Sequence, residues 1–329
     1  MDEQFNAPSA EFALESSDGV CFAVHKLMLE LASHVFRDML SFPQPATAGS
    51  PSRPVISMSE DAQSLRILLR FCYPRTFCPE PALVGLDDIK RAATLAQKYA
   101  IELMRDAAER ALISFAEDPR VQQPDVAYAV AWRYEYPDAL RAAARRSLEP
   151  FSVSLHAPEF EDVPATSSIA LRHYQRQAGR VLQSLLDAPA DKAYPVTWIQ
   201  HNLFAVMDSA NVRDNVRCSC EQKKIWFLSF GLVQVMQRIR SWWWFFVHSV
   251  VSSLKHNPTR YSLDDAFSLQ FEALFSPRPP TNICPQCTKD VRNMERVLEE
   301  TKRCLRVEIE RRFAQIPLEA PFMKAIGKT

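Results

Sequence analysis

Glycine is scarce in this chain: 329 residues contain 6, namely Gly19, Gly49, Gly85, Gly179, Gly231 and Gly327, about 2% where about 7% is usual. No two lie close together. No loop therefore offers the closely spaced, side-chain-free amides that cradle a pyrophosphate, which excludes dinucleotide-binding and P-loop chemistry. Other catalytic signatures are missing too. There is no Gly-x-Ser-x-Gly elbow and no His-Glu-x-x-His helix, and no two of the 7 histidines stand four residues apart. A non-enzymatic role is expected. Charge of one sign is also lacking, because 39 Lys and Arg face 39 Asp and Glu for a net charge of zero. That balance gives no global attraction to nucleic acid or anionic membranes, and no nucleic-acid partner is expected. In the apolar segment of residues 225–255 the longest uncharged stretches, residues 225–237 and 241–254, fall short of the roughly 18–20 residues that span a bilayer. The 8 cysteines are too few for a disulfide scaffold, and MDEQFNAPSAEF lacks the basic start and apolar run of a signal peptide, so an intracellular protein of cytoplasm or nucleus is expected.

What is present is ordinary globular composition, 47% hydrophobic and 24% charged, in a chain long enough for about two domains. The first segment alternates. Phe12 and Leu14 share one face, Asp18-Gly19 makes a turn, and Val20, Phe22 and Val24 resume the period of two, which predicts a β-hairpin with one buried face. The period then changes to four at Leu27, Leu31, Val35 and Met39, widened by Met28, Phe36 and Leu40. This is a helix, or two short ones joined at Ala32-Ser33 with Ser33 as N-cap. A Pro/Ser/Ala loop follows to Pro54, then a short strand (VISM), a helix through Leu65, Leu68, Leu69 and Cys72, and a proline-broken loop. An Ala/Leu-rich helical run with Ile89, Ala93, Ala96 and Tyr99 inward is divided by a turn near residues 99–101.

That order of elements, with the residues Ser16-Ser17-Asp18-Gly19-Val20, Phe22, Val24-His25-Lys26, Leu29, Ala32-Ser33, Val35-Phe36, Met39, Leu65, Leu68-Leu69, Cys72-Tyr73-Pro74, Ala96 and Lys98-Tyr99, resembles a BTB/POZ domain, in the divergent form abundant in mushroom-forming fungi. The likeness spans about a third of the chain, residues 11–117. It implies an α+β fold, a small sheet with helical hairpins, and homo- or heterodimerisation and scaffolding rather than catalysis. Leu27, Leu31, Val35, Phe36 and Met39 are the expected interaction residues, their apolar surface exceeding what one side of a small sheet covers, with roughly 1,500 Å² or more buried in a pair. Family members often carry Asp where Glu11 stands, a position tied to the dimer seam, so pairing is open to heteromers. Adaptors of cullin ubiquitin ligases commonly show an apolar-x-Glu motif after the second helix, where Phe42-Pro43-Gln44 here lacks the acid. His25 and Lys26 are expected to serve the fold by hydrogen bonding and capping. Helices over residues 121–148, with Val126, Val130 and Tyr134 on one face and Leu140, Ala144 and Leu148 on the next, match the extension that stacks on such a core.

Most of the tryptophan and five of the 8 cysteines lie in the second half, expected to be mostly α-helical. Cys218-Ser219-Cys220 and Cys284-Pro285-Gln286-Cys287 each precede a helical pattern. Four thiolates from Cys218, Cys220, Cys284 and Cys287 suit a tetrahedral structural zinc, helped by helix N-termini. Buried thiols without a ligand are the plainer alternative, and a thioredoxin-like pair lacks its βαβ setting. Cys304 is a substitute ligand, and Cys21, Cys72 and Cys78 belong to the N-terminal module. Gln234, Arg238, Ser241, His248, Ser252 and Lys255 fall on one stripe of a continuous helix, otherwise apolar, which predicts a central buried element, with a partner or membrane face at Trp242, Trp243 and Trp244 as the rival. A helix through Ile169, Tyr174, Val181, Leu182 and Leu185 precedes it. Val291, Met294, Leu298, Leu305 and Ile309 trace a final amphipathic helix with a solvated charged face.

The expected map is a disordered 1–10, a BTB/POZ domain over 11–118, its helical extension over 119–150, a linker over 151–168, an α-helical domain over 169–316 and a flexible tail over 317–329. The function read from it is a dimerising scaffold or adaptor with an unidentified protein partner and no membrane span. Cullin adaptor, transcriptional regulator and thiol redox enzyme are the rivals.

Overall fold

The computed structural model describes residues 1–42, 53–118, 120–121, 123–148, 157–185, 220, 222–229, 233–256, 263–276, 283–285, 288 and 291–326. The chain divides into two compact units, Met1–Ala143 with Ser154–Pro164, and Ala144–Val153 with Ala165–Thr329.

In the first unit, β1 (Phe12–Glu15) and β2 (Cys21–Val24) form an antiparallel hairpin pairing Phe12 with Val24 and Glu15 with Cys21. Ser16 closes the turn: its backbone N–H donates to the Val20 carbonyl (2.9 Å) and its Oγ accepts from the Val20 N–H (2.9 Å). Gly19 sits there at φ 81° with open space around its missing Cβ, so the turn needs glycine for its backbone conformation and not for room. β3 (Val55–Ser57) adds in parallel to β1, giving the order β2-β1-β3.

The hairpin differs from the one-faced strand pair that alternation predicts. Ala13 and Leu14 are both buried, as are Phe22, Ala23 and Val24. The residues expected to be a disordered 1–10 run along the β2 edge of the sheet. The Asp2 N–H donates to the Cys21 carbonyl (2.8 Å), the Ala23 N–H to the Phe5 carbonyl (2.8 Å), and Phe5 is buried with its ring edge-on to Tyr73 at 5.3 Å. Asp2 accepts from Arg66 Nε (2.7 Å). A short polar segment with one phenylalanine carries no periodicity, which is why it reads as disordered from sequence.

Two short helices follow, α1 (Lys26–Ala32) and α2 (His34–Ser41), separated at Ser33, whose Oγ accepts from the Phe36 N–H (3.2 Å) as N-cap. α3 (Ala62–Cys72) is capped by Asp61, which accepts from the Ser64 N–H (2.8 Å), and by Asp18 of the hairpin turn, which accepts from the Ala62 N–H (2.9 Å). α4 (Leu86–Tyr99) and α5 (Glu102–Glu117) form a helical hairpin broken at Ala100, which adopts the left-handed conformation at φ 49°. α6 (Pro124–Arg133) is buried from Pro124 to Trp132 on every face, not on one. α7 (Pro137–Arg146) begins where Glu109 Oε1 of α5 accepts from the Asp138 N–H (2.9 Å).

α6 and all but the end of α7 belong with the sheet, and so does part of the expected linker, because Glu159 meets Lys90 Nζ (3.0 Å) and Asp162 meets Arg133.

Within the second unit, α8 (Ala165–Ser184) buries Ala170, Leu171, Tyr174, Ala178 and Leu182, while Ile169, expected inward, is 61% exposed. β4 (Gln222–Ser229) and β5 (Val233–Arg240) then pair antiparallel, from Gln222 with Arg240 to Ser229 with Val233. This corrects the continuous helix expected through Gln234 and Arg238. The sequence there alternates as Val233-Gln234-Val235 and Arg238-Ile239-Arg240 and is rich in β-branched and aromatic residues, which favour strands. The helix starts only at Ser241, as α9 (Ser241–His256), on which His248 and Ser252 keep the polar stripe. α10 (Leu263–Leu274), α11 (Val291–Phe313) and α12 (Pro321–Ile326) complete the unit. Met294, Leu298, Leu305 and Ile309 are buried along α11 as the stripe predicts. Ala320 is fully buried and α12 follows, where a flexible tail was expected.

Tyr99 ties the first unit together. Its ring stacks on Phe36 at 4.6 Å, its hydroxyl donates to Glu60 Oε2 (2.9 Å), and its carbonyl accepts from Ser33 Oγ. Truncation of Phe36→Ala is expected to destabilise the first unit by about 3–5 kcal/mol in denaturant unfolding, the range for an aromatic removed from a close-packed core. The α3 cap has a pH signature. The Ser64 hydroxyl and N–H, and then the Arg91 guanidinium at 2.7 Å, hold the Asp61 carboxyl down from 3.8 to about 2. A depressed folded value means the stabilisation is present above the unfolded value and is lost as pH falls toward the folded one. The melting-temperature gap between the natural chain and Asp61→Asn is therefore expected to shrink between about pH 4 and about pH 2. A gap that stays constant over that window contradicts the assignment.

Candidate functional site

Two of the large apolar side chains that the first unit leaves exposed stand together on α1. Leu29 points inward and is fully buried, while Leu27 and Leu31, one turn apart on the opposite side, are 57% and 71% exposed. Of the other expected interaction residues, Val35 and Met39 are half-buried. Phe36 is fully buried against Tyr99 and belongs to the core, which corrects its place among the surface residues. Helix periodicity groups Phe36 with Val35 and Met39 without telling which flank of the stripe the core takes.

The base of α1 is held by residues from three elements. Glu11 Oε2 accepts from the Lys26 N–H (3.1 Å) and so caps the helix, and the hydrogen bonds from the chain hold its carboxyl below its usual range. His25 makes no side-chain cap. Its backbone N–H donates to Tyr73 Oη (2.9 Å), its Nδ1 lies 3.1 Å from the same oxygen, and its Nε2 lies 3.1 Å from Ser9 Oγ. Lys26 Nζ donates to the Leu40 carbonyl (3.2 Å). His25 and Lys26 thus lock the strand-to-helix junction. Glu11 is the cap that sequence reasoning missed, because a carboxylate 15 residues away shows no local capping pattern. On the far side of Tyr99, Glu60 is raised by burial but more than offset by Lys98 and Tyr99, so it stays ionised below its usual range. The outward face of α1 is therefore carried on a polar lattice whose carboxylates are charged at neutral pH.

Among the cysteines, Cys21 is half-buried and Cys72 and Cys78 are buried. Burial, with Cys78 nearby, pushes the Cys72 thiol up to about 12, which removes it from thiolate chemistry at neutral pH. In the second unit Cys220 and Cys284 are buried and adjacent: the Cys284 N–H donates to Cys220 Sγ at 3.2 Å. Cys218 and Cys287 lie outside the described residues. The Cys220 couple precedes the strand β4 and not a helix, so the helix N-terminus invoked for its thiolates is not there. Cys304, the expected substitute, is buried on α11 beside Glu300 (3.8 Å), and burial pushes its thiol up to about 11. Among the described residues no group of three or more His, Cys, Asp or Glu is arranged to hold a metal.

Trp242 and Trp243 are buried, and Trp243 Nε1 donates to Thr301 Oγ1 (2.9 Å) of α11, so they form core and not the partner or membrane face that was the rival reading. Among the described residues no helix is long and apolar enough to cross a membrane.

No curated protein matches the chain. The three-stranded sheet capped by helical hairpins is the architecture that the motif residues imply. Residues 2–116 match the family model described as BTB/POZ domain, a protein–protein interaction module, and the chain carries that domain as its N-terminal part.

Proposed function

We propose that this chain is a non-enzymatic intracellular scaffold or adaptor that pairs, with a second copy or a related chain, through α1 of its BTB/POZ domain, the domain being of the divergent form seen in mushroom-forming fungi. The observation that carries the reading is the exposure of Leu27 and Leu31 on a helix whose third leucine, Leu29, is fully buried. Two large aliphatic side chains one turn apart stay in water unless another polypeptide covers them, and burial of each is worth about 1.5–3 kcal/mol. Light scattering after size-exclusion chromatography tests it. The natural chain is expected to run as a pair, and Leu27→Glu with Leu31→Glu as a single chain of unchanged helicity, both positions being exposed. A natural chain that stays single at high concentration, or a double variant that stays paired, contradicts the reading.

A second reading concerns the other unit, and the contact between Cys220 and Cys284, 64 positions apart, supports it. We propose that the two cysteine couples, Cys218 with Cys220 and Cys284 with Cys287, hold one structural zinc ion as four thiolates, tying the β4 strand to the segment before α11. The Cys284 N–H against Cys220 Sγ brings the two couples to one place along the chain's fold, and the sulfur chemistry is that of a structural site. Elemental analysis of the purified chain is expected to find one zinc per chain, lost together with several degrees of melting temperature in Cys220→Ser with Cys284→Ser. Zinc absent from the natural chain, or retained in the double variant, contradicts it.

A further inference from the structure

α8 contains no Asp or Glu over its 20 residues but carries Arg172, Arg176 and Arg180. All three are exposed, and so is Ile169 at 61%. At 3.6 residues per turn these four positions fall within an arc of about 80°, with the arginines about 6 Å apart along the axis. The opposite side of the helix is the buried face of Ala170, Leu171, Tyr174 and Leu182.

Many other cations of the unit are paired. Arg303 pairs with Glu300, Lys302 and Arg306 with Asp264, Arg311 and Arg312 with Glu308, and Arg145 with Glu310. Among the described residues Arg172 and Arg176 have no ion pair, and Arg180 meets only the Gln177 amide oxygen at 3.5 Å. His173, on the flank, faces Glu319 at 3.3 Å. Like charges four apart on a helix disfavour it, so the arrangement costs stability unless something brings opposite charge to it.

We propose that this face docks an acidic amphipathic helix of a partner protein, with carboxylates at three positions four apart set against the arginines and an apolar side chain set against Ile169. A partner helix repeats its side chains at the same 6 Å interval, approximately, so the two registers match. The guanidinium fork binds a carboxylate through two parallel hydrogen bonds. Ile169 has no counterpart on a phosphate backbone but has one on an amphipathic helix, and the zero net charge of the chain supplies no field to gather nucleic acid. The surface lies in the second unit and is independent of pairing through α1.

The test uses the full chain and a labelled helical peptide with three glutamates spaced four apart and a leucine one turn before the first, with a shuffled peptide of equal composition as control. Fluorescence anisotropy is expected to show the ordered peptide binding at least about tenfold more tightly than the shuffled one, and Arg172→Gln, Arg176→Gln and Arg180→Gln together removing about tenfold or more of that affinity. Ile169→Ser is expected to weaken binding as well, which a purely ionic contact does not predict. The proposal is overturned if the two peptides bind alike or not at all, if the triple variant binds as tightly as the natural chain, or if a labelled single-stranded RNA or duplex DNA binds more tightly than the peptide. The comparison of the two peptides needs only the natural chain, so it decides the matter even if a variant misfolds.

Discussion

The structure of the first unit depends on how Tyr99 is held at the end of α4. Its ring lies against Phe36 of α2, its hydroxyl is bonded to Glu60 between β3 and α3, and its carbonyl receives Ser33, the residue that separates α1 from α2. The Glu60 carbonyl in turn accepts from the Ser17 N–H of the hairpin turn at 2.8 Å. One side chain and two polar partners thereby join the sheet, the first helical hairpin and the second. Burial and the hydrogen bond to Glu60 raise the Tyr99 hydroxyl far above its usual range, so it remains a donor at any working pH. With the interior occupied in this way, α1 has one buried leucine and two that face outward, and the apolar surface available for pairing is a consequence of the core being full.

Much of the first unit is legible in the sequence because its signals are local. The Asp18-Gly19 turn, the Ser33 cap and the shift of period from two to four each act within a few residues. What escaped reading depends on contacts between distant segments. Phe5 finds its place only because Tyr73 and Ala23 are there, and Glu11 caps a helix that begins 15 residues later. Phe36 lies on the stripe of Val35 and Met39 but on the core flank, which only the position of Tyr99 decides.

In the second unit the polar spacing from Gln234 to Lys255 satisfied a helix period by coincidence, while the strand pairing of residues 222–240 rests on a neighbouring strand that periodicity along one segment does not see. The tryptophans of α9 were legible as core, since a nearly enclosed helix has few polar positions, and Trp243 finds its polar partner in Thr301. The charge balance of the chain conceals a local asymmetry. Along α11 acids stand among the bases and pair with several of them, but α8 carries bases alone, and a total of zero cannot show that. Both exposed faces, aliphatic on α1 and cationic on α8, are features that a composition summary averages away.

The central claim is that α1 meets another polypeptide because the core behind it has no room for its outer leucines. Hydrogen exchange of the full chain, read by mass spectrometry at low and at high protein concentration, reports on this helix directly. The account predicts that the amides of Lys26–Ala32 gain protection as concentration rises while those of α8 do not. Exchange in α1 that is the same at every concentration would contradict it.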